Sequence, residues 1–246
     1  MHQFFLNQPL EEPTAPIILT RKEYPHIFVL RLHLGEAFVL SDGMGKEHVC
    51  EITAVDKNTL TAKHLETQSA NGELSCQLIL LQGLPKRDKL EFIIQKAVEL
   101  GAHQIMPVMM KRSNVKLDEK KADRKAERLH EISKSAATQS KRGIIPEVPS
   151  ITAFSDALDS VADADIKLIA FEEETHTGGL QALLPALDTA KKIAILVGPE
   201  GGISEEEWQQ AKEAGFQSVS LGKRILRTET AGLCLLSYLM LHLENA

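Results

Sequence analysis

Two apolar runs, each stopping at an unusual loop, constrain this chain more than any other feature. Ile193-Ala194-Ile195-Leu196-Val197 stops at Gly198-Pro199-Glu200-Gly201-Gly202. Phe216 to Leu221 stops at Gly222-Lys223-Arg224-Ile225-Leu226-Arg227-Thr228-Glu229-Thr230. Between them, Ser204 with Glu207 makes a capping box that opens a helix ending before Gly215, and a long apolar helix closes the chain. Strands alternating with helices indicate βα units and a mostly parallel sheet. In open α/β sheets, ligands lie at the carboxyl ends of strands, so both loops are binding-site candidates.

The first loop has the glycines that let backbone approach a ligand, but not a phosphate-binding order. It reads G-P-E-G-G, neither G-x-G-x-x-G nor G-x-x-x-x-G-K-[ST]. Glu200 stands where a phosphate cradle wants bare N–H groups, and Pro199 removes one donor. A neutral or locally cationic ligand is expected here, such as adenosine attached to a sulfonium. Taken alone, the loop reads first as a tight strand-to-helix turn with Glu200 solvated; the second loop shifts the balance.

The two motifs together, from Leu196-Val197-Gly198-Pro199-Glu200-Gly201-Gly202 to Leu221-Gly222-Lys223-Arg224-Ile225-Leu226-Arg227-Thr228-Glu229-Thr230-Ala231, resemble the signature pair of the ribosomal RNA small subunit methyltransferase E family. That family belongs to the SPOUT class of S-adenosyl-L-methionine-dependent RNA methyltransferases. The resemblance implies a trefoil-knotted C-terminal α/β domain, a homodimer, and N3-methylation of one uridine in 16S rRNA of the small ribosomal subunit. It also covers Lys89 to Gly101 and Ala136-Ala137-Thr138-Gln139-Ser140-Lys141-Arg142 with Pro146. Thr138 stands where the family has a glutamate, which counts against an essential carboxylate at that place.

A chain of 246 residues, 43% hydrophobic and 25% charged, holds one large domain or two modest ones. No apolar run approaches the roughly 20 residues of a membrane span, and the N-terminus lacks the basic and apolar regions of a signal peptide. Cys50, Cys76 and Cys234 are scattered and read as small hydrophobes in a reducing cytoplasm. The nine histidines show no metal-ligand spacing, and no metal is assigned. The net charge of −6 looks wrong for an RNA binder, yet its distribution fits. Lys111 to Arg142 holds 11 Lys/Arg against 5 Asp/Glu, an excess of +6 that leaves −12 on the remainder. Asp118 to His130 reads as a solvated, salt-bridged helix, with Lys111, Arg112, Lys141 and Arg142 at the segment's two ends as the RNA contacts.

Residues 1 to about 72 read as a small β module. Strand-like runs are Ile27 to Leu32, Ala37 to Leu40, Val49 to Ile52 and Thr59 to Ala62, with turn signals at Asp42-Gly43 and Asp56-Lys57-Asn58. Short strands at this spacing suggest a small barrel. The resemblance continues through His26 to Arg31 and Gly35 and implies a PUA-like, RNA-engaging barrel, with Arg21, Lys22 and Arg31 as phosphate contacts. Gln68-Ser69-Ala70-Asn71-Gly72 is turn-rich and is expected to be the linker.

Residues 73 to 246 then form the α/β domain. Cys76 to Leu81 is an apolar strand, and Asp88 is an N-cap for a helix burying Leu90, Ile93, Ile94, Ala97 and Val98, with Gly101 as its stop. Further strands are expected at Ile105 to Met109, Ile166 to Phe171 and Ile193 to Val197. Helices are expected at Leu117 to Ser140 and Leu180 to Leu187.

The chemistry follows from requirements. Uridine N3 carries a proton at neutral pH, so a base must take it or the pocket must favour the anion. The resemblance implies that Leu196, Val197, Gly198, Pro199, Glu200, Gly201 and Gly202, with Leu221, Gly222, Ile225, Leu226 and Thr230, hold the methyl donor largely through backbone groups. Arg227 is assigned to stabilising charge on the uracil oxygens or to gripping a phosphate. Glu229 and Glu200 are the base candidates, with Glu200 alternatively facing the donor. Gln139 joins the RNA contacts. Alternatives stay open: a structural Arg227–Glu229 ion pair, a catalytically silent RNA-binding module, or a methyltransferase with another RNA target. A nicotinamide enzyme lacks its fingerprint here.

Overall fold

The computed structural model describes residues 1–6, 10, 15–86, 88–113, 122–171 and 183–245. These divide into two compact units, Met1–Glu73 with Ala137–Ile145, and Leu74–Ala136 with Pro146–Ala246.

In the first unit the elements are β1 (His2–Phe5), β2 (Ile17–Thr20), α1 (Pro25–Val29), β3 (Ala37–Ser41), β4 (Lys46–Val55) and β5 (Thr59–Ser69). They build a sheet of order β1-β3-β4-β5-β2, antiparallel except for the β1–β3 pair. Register shifts between Val49 and Cys50 and between Ile52 and Ala54 add twist to the β4–β5 ribbon. One face closes over Leu19, Ile27, Phe38, Leu40, Ile52 and Leu60. Burial pushes the Cys50 thiol up to about 11, so it stays a protonated core residue.

Two expectations fail here. Ile27 to Leu32 is not a strand: Pro25 presets the first turn of α1, Ile27 is buried, and Val29 on the same strand face would be 75% exposed. The expected linker is also partly strand, since β5 runs to Ser69.

The segment Ala137–Ile145 counts with this unit because Glu73 gathers it. The Glu73 carboxylate accepts from Arg142 Nη2 at 2.6 Å, Arg142 Nε, and the backbone N–H groups of Gly143 and Ile144 at 3.1 Å. Ser41 Oγ donates to the Gly143 carbonyl at 2.9 Å. The helix α3 (Ala122–Gln139) ends just before this loop in a Schellman motif: Arg142 N–H donates to Ala137 O and Lys141 N–H to Thr138 O. Lys141 takes the left-handed position at φ +58, where glycine is usual.

In the second unit come β6 (Gln77–Gly83), α2 (Lys89–Glu99), β7 (Ala102–Met109), most of α3, β8 (Thr152–Ala153), α4 (Phe154–Ser160), β9 (Ile166–Ala170), α5 (Leu184–Leu187), β10 (Lys192–Val197), α6 (Glu205–Glu213), β11 (Gln217–Val219) and α7 (Thr228–Asn245). The sheet order is β11-β9-β10-β6-β7-β8, and every pairing is parallel. The central strands β6 and β10 are buried on both faces, which is why they read as continuous apolar runs. α2 buries Leu90, Ile93, Ile94, Ala97 and Val98 along one stripe and packs on α7. Asp88 occupies its N-cap position but makes no capping hydrogen bond. The expected start of α3 at Leu117 and of α5 at Leu180 lies outside the described residues. No described helix is long and apolar enough to cross a membrane.

Candidate active site

The parallel sheet delivers both motif loops to one end of β10 and β11. The first, Gly198 to Ile203, is folded tightly: Gly202 N–H donates to Pro199 O at 2.9 Å. A Cβ on Gly198 would lie 2.7 Å from Ile203 Cγ1, so no larger residue fits. α6 holds the loop's far end through its capping box, in which Ser204 accepts from Glu207 N–H and Glu207 reaches back to Ser204 N–H. Glu207 is buried and also accepts from Lys111 N–H at 2.6 Å.

Two ties join this loop to the second one. At the base, the buried Thr228 Oγ1 donates to Gly198 O at 2.6 Å and accepts from Gln82 Nε2 at 2.8 Å. At the rim, Lys89 Nζ stands 3.1 Å from Glu200 Oε1 and 3.1 Å from Glu229 Oε2. Glu200 further accepts from Lys86 N–H at 3.1 and 3.2 Å. The hydrogen bond to Glu200, then that to Glu229, raises the Lys89 pKa above its ordinary value. Burial works to raise the Glu200 pKa, but Lys89 and backbone N–H groups outweigh it and hold the carboxyl below its usual range.

The loops enclose a cavity of about 470 Å³, within the range of small-molecule sites. A second hollow of about 140 Å³ shares Ala170, Phe171, Ile225, Leu226 and Ala231 with it. Phe171 stacks on Trp208 with ring centroids 4.9 Å apart, so a rigid aromatic pair backs the wall. Ile225 is 83% exposed and lines both spaces, an apolar surface ready for a ring.

The chain's likeness to known proteins can be set against this geometry. A family model for an RNA methyltransferase domain matches residues 72–240, and one for an RNA methyltransferase PUA domain matches residues 19–64. The Bacillus subtilis ribosomal RNA small subunit methyltransferase E is 39% identical over 96% of this chain and 95% of its own length. This chain belongs to the ribosomal RNA small subunit methyltransferase E family. The Aquifex aeolicus member is 31% identical over 98% of this chain and 99% of its own. The methyltransferase E of Neisseria gonorrhoeae, solved bound to S-adenosyl methionine, superposes with a TM-score of 0.84. It is 34% identical, covering 98% of this chain and 97% of that one.

The cavity of this methyltransferase E member fits an adenosyl group. Its walls combine apolar side chains and glycine backbone with a polar side of Lys89, Arg112, Glu200 and Arg227, and in the smaller hollow Gly222 at φ +108 leaves open space where a Cβ would stand. Of the expected donor-binding residues, Val197, Gly198, Pro199, Glu200, Gly201, Gly202, Ile225 and Leu226 line the larger cavity. Leu221 and Gly222 line the smaller. Leu196 and Thr230 line neither: Leu196 is buried in the sheet's core, and Thr230 points outward from α7.

Three further expectations are corrected. Glu200 is not a free carboxylate at the loop's centre: it pairs with Lys89, an ammonium it shares with Glu229, so its charge is only partly offset. Glu229 pairs with Lys89, not with Arg227, and neither glutamate stands free as a base. Arg142 is not an exposed RNA contact: it is 3% exposed and clasped by Glu73.

Arg227 is exposed on the cavity wall, and among the described residues its guanidinium forms no ion pair. Arg112 lies at the loop, donating to Gly201 O and Ile203 O at 3.2 Å each, while Lys111 pairs with Glu206. Arg21 donates to Lys57 O and covers the Phe28 ring at 4.7 Å. Lys22, Arg31, Gln139 and Lys141 are exposed.

Sequence reasoning passed over Gln82, Lys89, Phe171 and Thr228. Thr228 lay inside the second motif and Lys89 opened a family-matching stretch, while Gln82 left a signal as a polar residue closing an otherwise apolar strand run.

Proposed function

We propose that this protein transfers the methyl group of S-adenosyl-L-methionine to N3 of a uridine in 16S rRNA of the small ribosomal subunit. The observation that carries the reading is the double tie, Thr228 to Gly198 and Lys89 to both glutamates, around one cavity in a methyltransferase E chain. When bound, the donor supplies a methyl group activated on a sulfonium sulfur.

The chain's own residues hold, orient and stabilise charge. Backbone from Gly198 to Gly202 and from Leu221 to Leu226, with Phe171 and Ile225 as walls, grips the adenosyl part. Arg227 stabilises the negative charge that appears on the uracil oxygens as N3 loses its proton. Lys89 occupies both Glu200 and Glu229, so the N3 proton is released to base in the solvent rather than to either carboxylate. N3 lies on the pairing edge, so the uridine is presented unpaired.

The first unit, with its PUA match, carries RNA contacts at Arg21, Lys22, Arg31, Gln139 and Lys141. Phosphate contacts of this kind position the substrate rather than identify the base. The protein works in the cytoplasm as a homodimer, with its C-terminal segment knotted. Support for the dimer is the exposed apolar surface of α7, where Leu241 is 56% exposed, and light scattering tests it.

The deciding experiment is transfer of labelled methyl to small-subunit particles and to free 16S rRNA, with the product nucleoside identified. 3-Methyluridine is expected. Another methylated nucleoside would refute the target, and no transfer with no donor binding would refute the enzyme.

A further inference from the structure

Two carboxylates sit at the rim of the cavity that Arg227 lines. Glu200 lines the same cavity, and Glu229 lies two residues beyond Arg227 in the first turn of α7. Arg227 holds the N-cap position of α7, its carbonyl accepting from Ala231 N–H at 2.8 Å, and its side chain is exposed at the cavity. Either carboxylate is a natural partner for a guanidinium. Yet both accept from Lys89 Nζ at 3.1 Å, and among the described residues Arg227 pairs with neither.

A brace between the two loops already exists without Lys89. Thr228 Oγ1 bonds Gly198 O at 2.6 Å, and Gln82 backs the hydroxyl from inside the sheet. Lys86 N–H separately holds Glu200. What Lys89 adds is charge: one ammonium occupies both anions.

We infer that Lys89 is a positioning residue that occupies Glu200 and Glu229 and thereby leaves the Arg227 guanidinium unpaired at the cavity. What Arg227 then does there rests on the function proposed above; that it is kept free does not.

The test compares wild type, Lys89→Met, Lys89→Arg and the charge-compensated Lys89→Met/Glu200→Gln/Glu229→Gln. One readout is the rate at which an arginine-selective dicarbonyl reagent modifies Arg227, followed by peptide mass spectrometry. The other is kcat and KM for rRNA. Lys89→Met is expected to slow Arg227 modification and lower kcat by about tenfold, as a released carboxylate captures the guanidinium. Lys89→Arg stays within about threefold of wild type, and removing both negative charges restores Arg227 reactivity in the triple variant. Lys89→Gln serves in place of Lys89→Met if the latter does not fold.

The inference is overturned if Arg227 reacts equally fast in Lys89→Met, or if the triple variant reacts no faster than Lys89→Met. Lys89 would then be only a brace. If the wild type transfers no methyl while Arg227 reactivity follows the expected pattern, the proposed function falls and the positioning role stands.

Discussion

The Thr228 hydroxyl donates to the Gly198 carbonyl at 2.6 Å, joining the end of one strand loop to the start of the last helix across 30 residues of sequence. Gln82 reaches from the neighbouring strand to complete the chain of bonds, and its own Oε1 is buried without a partner among the described residues. The Thr228 and Gln82 bonds in so deep a cluster persist only while each member keeps its place.

Thr228→Val keeps the shape and removes the donor. Gly198 O and Gln82 Nε2 each lose a partner, which costs about 1–3 kcal/mol. Calorimetry should show a lowered Tm, and titration calorimetry a weaker Kd for S-adenosyl-L-methionine. An unchanged Kd would mean that the tie does not shape the donor site.

Gly198→Ala places a methyl 2.7 Å from Ile203 Cγ1 and 3.3 Å from the Gly202 carbonyl carbon. The loop must shift, at a cost of about 1–3 kcal/mol for overpacking. Donor affinity should fall more than global stability does, because the shift is local to the cavity wall. Paired binding and denaturant titrations measure the two effects.

Arg142→Ala should destabilise the first unit by about 3–5 kcal/mol, since it strands the Glu73 carboxylate that the buried guanidinium neutralises. Arg142→Lys should also destabilise, because a point charge cannot replace the two bonds from Nε and Nη2. A denaturant midpoint close to wild type in both would refute the anchoring role.

Lys141 holds φ +58 without being glycine, a conformation that costs an L-residue about 1–2 kcal/mol. Lys141→Gly should therefore raise stability by about 1 kcal/mol, with the Schellman bonds intact. If the lysine is kept there for RNA, the same variant should bind 16S rRNA more weakly. Filter binding at two salt concentrations decides this, and equal affinity would leave Lys141 without that role.

Thermal stability should fall at both pH extremes through Glu200 and Lys89. Folding lowers the Glu200 pKa, so its contribution is complete above the ordinary glutamate value of about 4.3 and is lost as pH drops through the folded value. Folding raises the Lys89 pKa, so its contribution is complete below about 10.4 and is lost as pH climbs through the folded value. Glu200→Gln should shrink the acid limb, as a Tm series against pH would show.

Local chemistry made much of the second unit legible. The Ser204–Glu207 box, the stripe of Leu90, Ile93, Ile94, Ala97 and Val98, and the apolar run of β10 are written in neighbouring residues, and the structure realises each. The helix at Pro25–Val29 was harder, because five residues with two β-branched members carry either period.

By itself, the sequence determined most strands and helices of the α/β unit (though not β8 and α4), where its two motif loops fall, and which family it resembles. Those are properties of short windows, where spacing and turn residues act directly. Only the tertiary structure decided that Arg142 is a buried anchor for Glu73, and that Glu200 and Glu229 share Lys89. It alone brought Gln82 under Thr228, 146 residues away. A charge or hydroxyl looks the same in sequence whether it meets water or a partner, and the partner is chosen by how the sheet brings distant segments together.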